Sequence, residues 1–130
     1  MKEEVITYIT AVSAKDKGFN HRGSLMYDRH GEIQPVPSIK RIVHEGGGIK
    51  ELKRPSQLFA PTQSFLQKWL RETYEVEIDI CTGYRGYAFE VMSRNHEEKW
   101  LEMEAYSDER FETYELALEA GLFEAIKVIQ

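Results

Sequence analysis

From Thr62 onward the apolar positions follow a helical spacing, then a strict alternation, then a helical spacing again. Phe65, Leu66, Trp69, Leu70 and Tyr74 form one stripe of a 3.6-residue period, with Thr62 placed to cap it, and predict a helix ending near Tyr74. Val76, Ile78 and Ile80 alternate with Glu77, Asp79 and Cys81, as in a strand with one buried and one wet face. Gly83-Tyr84-Arg85-Gly86 makes a turn, and Tyr87, Phe89 and Val91 return as a second strand. After a polar loop from Ser93 to Glu98, Leu101, Met103 and Ala105 alternate with Glu102, Glu104 and Tyr106, which predicts a third strand with the first set facing inward. Thr113 caps a final helix with Glu115 in its first turn. Tyr114, Leu118, Leu122, Ile126 and Ile129 line one side of it, and Ala117, Gly121 and Ala125 form a small-residue groove for close approach to the sheet.

Upstream the pattern is less regular. Val5, Tyr8, Ile9 and Val12 predict a helix over 4–17 that buries this stripe, although the β-branched run Val5-Ile6-Thr7 also suits a strand. Gly18 stands where a left-handed residue ends such a helix. Residues 19–36 read as a hairpin around Asp28-Arg29-His30-Gly31, with Pro35 and Pro37 confining the second arm to an edge. Ile39 to Val43 predicts a short strand, and Gly46-Gly47-Gly48 breaks any regular element and marks a mobile loop. The expected fold is therefore α+β: an antiparallel sheet with helices packed on one face. Its C-terminal half (62–130) runs helix-strand-strand-strand-helix, and its N-terminal half (1–61) supplies a helix and a hairpin that flanks or extends the sheet.

The length of 130 residues fits one domain rather than two. No run approaches the ~20 apolar residues that span a bilayer. Met1-Lys2-Glu3-Glu4 lacks the start of a secretory signal, and the single Cys81 excludes a disulfide framework or a multi-cysteine zinc site. The expected setting is a reducing cytoplasm, and no cofactor is expected.

Charge divides the chain. Residues 1–61 carry ten Lys/Arg against seven Asp/Glu, and residues 62–130 carry seven against fifteen. The second half repels phosphate backbones and the first half tolerates them. The commonest use of such an imbalance is a solvated acidic face.

Ala60-Pro61-Thr62-Gln63-Ser64, running through Leu66-Gln67-Lys68-Trp69-Leu70-Arg71-Glu72, resembles the central signature of a widespread family of small phage, prophage and mobile-element proteins common in Bacteroidota. Ala14 to Asn20 and Tyr114 to Leu122 resemble two further pieces of that family, in the same order; residues 35–57 and Leu116 depart from it. The resemblance implies a phage or integrated element inside a bacterial cell. It implies no activity and transfers no catalytic residue.

The order helix, three strands, helix also resembles a double-stranded RNA-binding domain, which grips phosphates at the start of its last helix. Here that helix start carries Glu109, Glu112, Glu115 and Glu119, the wrong sign for the task. His21, His30, His44 and His96 lack the paired spacing of common zinc sites. Cys81 shares its strand face with Glu77 and Asp79, electrostatically poor surroundings for a nucleophilic thiolate. Gly46-Gly47-Gly48 with Lys50 has neither the spacing nor the flanking elements of a phosphate loop.

The features suited to binding are the tip Tyr84-Arg85, with the aromatic and arginine composition of interface hot spots, and an acidic surface including Glu102, Glu104 and Glu109. They point first to a non-catalytic protein that binds a host or phage protein, the acidic face imitating nucleic-acid phosphates in a basic groove. The alternative is a nucleic-acid-associated protein using Lys40, Arg41, Lys50, Lys53 and Arg54. A third reading, a small-molecule enzyme, requires His21, His30 or His44 to meet a carboxylate in a pocket. Phe59, Phe123 and the hairpin edges also offer surfaces for a homo-oligomer.

Overall fold

The structure, a computed structural model, describes residues 3–36, 41–43, 49–51, 57–83, 85–95 and 100–129. Its elements run α1 (Tyr8–Asp16), β1 (Leu25–Tyr27), β2 (Ile33–Pro35), β3 (Arg41–Val43), β4 (Ile49–Glu51), β5 (Leu58–Phe59), α2 (Gln63–Tyr74), β6 (Val76–Gly83), β7 (Gly86–Asn95), β8 (Trp100–Tyr106) and α3 (Tyr114–Val128). The fold is α+β, and 62–130 form the expected helix-strand-strand-strand-helix unit.

The main sheet has the order β6-β7-β8, antiparallel throughout. α3 packs on it closely because Gly121 has no side chain. A Cβ there would lie 2.9 Å from Ile78 Cγ2 and 3.1 Å from Phe89 Cβ. Leu118, Leu122, Ala125 and Ile126 complete the buried side of α3 against Leu66 and Leu70 of α2 and Val76, Ile78, Phe89 and Val91 of the sheet. Thr62 and Thr113 cap their helices as expected, accepting from the backbone N–H of Phe65 and Leu116.

Four local readings need correction. α1 begins at Tyr8 because residues 4–6 pair with 61–63 instead of winding. Ile6 N–H donates to Pro61 O, Gln63 N–H donates to Glu4 O, and Val5 bridges Thr62. Nor does α1 bury the stripe the periodicity singled out. Tyr8 and Ile9 are exposed while Thr10, Ala11 and Ala14 are buried, since small residues allow α1 to lie close to its neighbours. Gly18, with φ of 99°, ends α1 in a Schellman arrangement, Phe19 N–H donating to Ala14 O and Gly18 N–H to Lys15 O.

β7 extends through Ser93 and Arg94 to Asn95, positions expected in a loop. A bulge between Val91 and Met92 then changes the phase of β8: Val91 stands opposite Ala105 but Met92 opposite Met103. Met103, expected inside, is therefore exposed, whereas Ala105 keeps its inward position. The side chain of Leu101 lies outside the described residues.

The N-terminal hairpin forms as expected, but in a sheet of its own, order β2-β1-β5, which meets α1 through β5. β2 is its edge, as Pro35 requires. Asp28 organises the turn by accepting from the N–H of His30 and Glu32, which lowers its carboxyl pKa below the ordinary value; the Glu32 bond is the largest cause. β3 pairs with β4 in a two-stranded ribbon. The first matches the end of the short strand expected from Ile39, and the second was not anticipated. The glycine run 46–48 lies outside the described residues.

Candidate functional site

Three elements meet around an open groove. β7 and β8 give its floor through Phe89 and Ala105, and the segment after β8 adds Phe111. Ala120, Phe123 and Glu124 of α3 form one wall, and Tyr106 to Glu109 form the other. The groove has a volume of about 520 Å³ and is open to solvent. The floor is held by backbone bonds. Phe111 and Tyr87 exchange N–H···O bonds of 2.7 and 2.9 Å, and Ser107 N–H donates to Phe89 O. Gly86, φ of 122°, permits this because any Cβ would run into Phe111 O.

The groove has an apolar interior and a carboxylate rim. Asp108 and Glu109 are exposed on one side. On the other, Glu124 accepts from Lys127 Nζ at 3.2 Å, and the same ammonium stands 4.4 Å from the Phe123 ring centroid. Phe123, expected among surfaces for self-association, thus lines this groove, whereas Phe59 of β5 packs against the core.

The residues expected to bind a partner are distributed over two ends of one sheet edge. Glu109 belongs to the groove. Arg85 is exposed in the β6–β7 turn, which lies against the segment 110–111: a Cβ on Gly83 would lie 3.5 Å from the Arg110 guanidinium and one on Gly86 would meet Phe111 O. Tyr84 lies outside the described residues. Glu102 and Glu104 are exposed on β8, with Ser93 Oγ donating to Glu104. The register sets Glu102 opposite Ser93 and bridges Phe111 to Tyr87, so the two ends stand roughly 20 Å apart along β7.

Glu119, first grouped with the acidic helix start, has a different job. Its carboxylate accepts from Thr7 N–H (3.1 Å), Thr7 Oγ1 (2.9 Å) and Gln63 Nε2 (3.2 Å), tying together the starts of α1 and α2. Burial, and secondarily this carboxylate, raise the pKa of Tyr27, whose hydroxyl donates to Ile6 O. None of this was legible in the sequence, where Glu119 looks like one more surface acid.

Of the basic segment, Lys40, Lys53 and Arg54 lie outside the described residues. Arg41 stands opposite Glu51 and Lys50 opposite Ile42, so the two are not cross-strand partners. His21 rests against the rings of Phe19 and Phe65, and His30 accepts from Arg29 Nε in the β1–β2 turn. His44 and His96 lie outside the described residues. Cys81 is a half-buried free thiol, paired in register with Ala88. Among the described residues no three His, Cys, Asp or Glu side chains are grouped to hold a metal ion, and no helix is long and apolar enough to cross a membrane. Comparison with family models, curated proteins and solved structures gives no match.

Proposed function

We propose that the chain is a non-catalytic accessory protein of a phage or mobile element, acting by binding a protein of the host or of the element itself. The observation that carries this reading is the set of exposed carboxylates, Glu102 and Glu104 on the β8 edge and Asp108 and Glu109 at the rim of an open groove with an aromatic floor. Carboxylates in this position repel nucleic-acid backbones and steer a basic protein surface into contact. The family resemblance supplies the cellular context.

The test is capture from nuclease-treated lysate of the native host, comparing the unaltered chain with Glu102→Gln/Glu104→Gln/Glu109→Gln. A stoichiometric protein partner, bound more weakly by the triple variant and with a flatter salt dependence, is the expected result. Equal affinity and equal salt slope would remove the acidic edge from the account. A gel shift with duplex or single strands at low salt would instead favour a nucleic-acid partner engaging the basic stretch around Arg41 and Lys50.

A further inference from the structure

α3 is apolar on two sides. Its inner side is buried, while Leu116, Ala120 and Phe123 recur at i, i+4 and i+7 on an adjacent side, with Leu116 exposed, Phe123 half-buried and Ala120 partly packed against the core. A helix apolar all round belongs in an interior, yet here Leu116 is 53% exposed. This second stripe runs into the groove through Ala120 and Phe123. The apolar surface thus continues along α3 beyond the cavity to Leu116, further than a small molecule filling the cavity would cover.

Two observations say what covers it. The charged residues lining the groove are Asp108, Glu109 and Glu124, all acidic. At its margin the chain already seats a cation on this wall, with Lys127 Nζ against the Phe123 ring and the Glu124 carboxylate. A second copy presenting the same face would set carboxylates against carboxylates. Addition of a strand to the β8 edge is disfavoured by the bulge between β7 and β8, which twists that edge.

We infer that the groove between β8 and α3 docks a basic amphipathic helix of a partner protein, its apolar side chains over Phe111, Ala120 and Phe123 and its Lys or Arg residues against Asp108, Glu109 and Glu124. Docking of this kind reads apolar anchors at helical spacing. The inference rests on the protein-binding reading above and specifies the site and chemistry of the contact.

The test uses a fluorescein-labelled Lys/Leu peptide of about 18 residues with helical amphipathic spacing, and a scrambled peptide of the same composition. Anisotropy titrations and amide chemical-shift mapping are made on the unaltered chain, Ala120→Trp and Asp108→Asn/Glu109→Gln. Ala120→Trp fills the groove without changing charge, and its circular dichroism and melting curve establish that it folds. The amphipathic peptide is expected to bind about tenfold more tightly than the scrambled one, to shift amides within 105–111 and 116–124, and to lose about tenfold in affinity to Ala120→Trp. The carboxylate variant is expected to lose about threefold at low salt and little at high salt.

Equal binding of both peptides, or an Ala120→Trp variant that folds and binds as well as the unaltered chain, would overturn the inference. So would a dimer in sedimentation that Ala120→Trp dissociates, since the groove would then hold a second copy. Shifts confined to Glu102 and Glu104 would overturn it too, while leaving the acidic-edge reading standing. Should Ala120→Trp not fold, Phe123→Ser takes its place under the same criteria.

Discussion

Gly121 is the residue on which the main packing depends most visibly. A Cβ at position 121 would stand 2.9 Å from the Ile78 methyl and 3.1 Å from the Phe89 Cβ, so the neighbours must shift to admit a side chain. Gly121→Ala gains about 1 kcal/mol in helix propensity. Overpacking against two β-strand residues costs about 1–3 kcal/mol, and we expect a net loss of about 1 kcal/mol in urea unfolding. A more stable variant would mean that α3 can back away from the sheet. Tyr27 is the second such residue, because its hydroxyl satisfies the Ile6 carbonyl in the core. Tyr27→Phe is expected to cost about 1–2 kcal/mol at neutral pH. The raised phenol pKa also fixes a sign: this contribution is present below the unfolded value near pH ~10 and is lost as pH climbs through the higher folded value. Alkaline unfolding midpoints should therefore fall less steeply in Tyr27→Phe than in the unaltered chain. Parallel slopes would contradict the assignment.

Among the elements, β8 separates what pattern reveals from what it hides. Alternation assigns Met103 to the core, and the bulge at Val91/Met92 turns it outward. Met103→Lys should accordingly change stability by less than about 0.5 kcal/mol, whereas Leu122→Ala, on the buried side of α3, should cost about 2–5 kcal/mol. A Met103→Lys loss approaching the Leu122→Ala value would show that the strand keeps its simple alternation. α2, β6, β7 and α3 were legible because each carries a full apolar period, a hydroxyl cap or a glycine turn. A bulge adds one residue without changing residue type, so nothing in Glu102-Met103-Glu104 announces it. α1 misled for another reason: its contacts use Thr10, Ala11 and Ala14, which a search for large apolar side chains passes over, while Tyr8 and Ile9 catch the eye and face outward. The groove was half legible. Glu109 and Phe123 were singled out separately, but their meeting depends on Phe111 pairing back onto Tyr87, a long-range bond with no local signature.

At the scale of the whole molecule, the charge division acquires a location. The excess of fifteen Asp/Glu over seven Lys/Arg in residues 62–130 is partly used to join elements, through half-buried Glu119, and partly displayed along β8 and the groove. The displayed part lies beside apolar surface on α3 that runs from exposed Leu116 to Phe123, whose ring carries Lys127 Nζ at its margin. That combination gives the molecule one face with both a steering field and an anchoring surface, and the central claim is that a partner protein binds there. The most direct measurement places a photo-crosslinking phenylalanine analogue at position 123, and separately at position 65, in cells of the native host. Phe65 is 46% exposed on α2 and serves as the control. The account predicts a covalent adduct with one protein from position 123, absent from position 65 and reduced by Asp108→Asn/Glu109→Gln. No adduct at 123, or the same adducts from both positions, would contradict it.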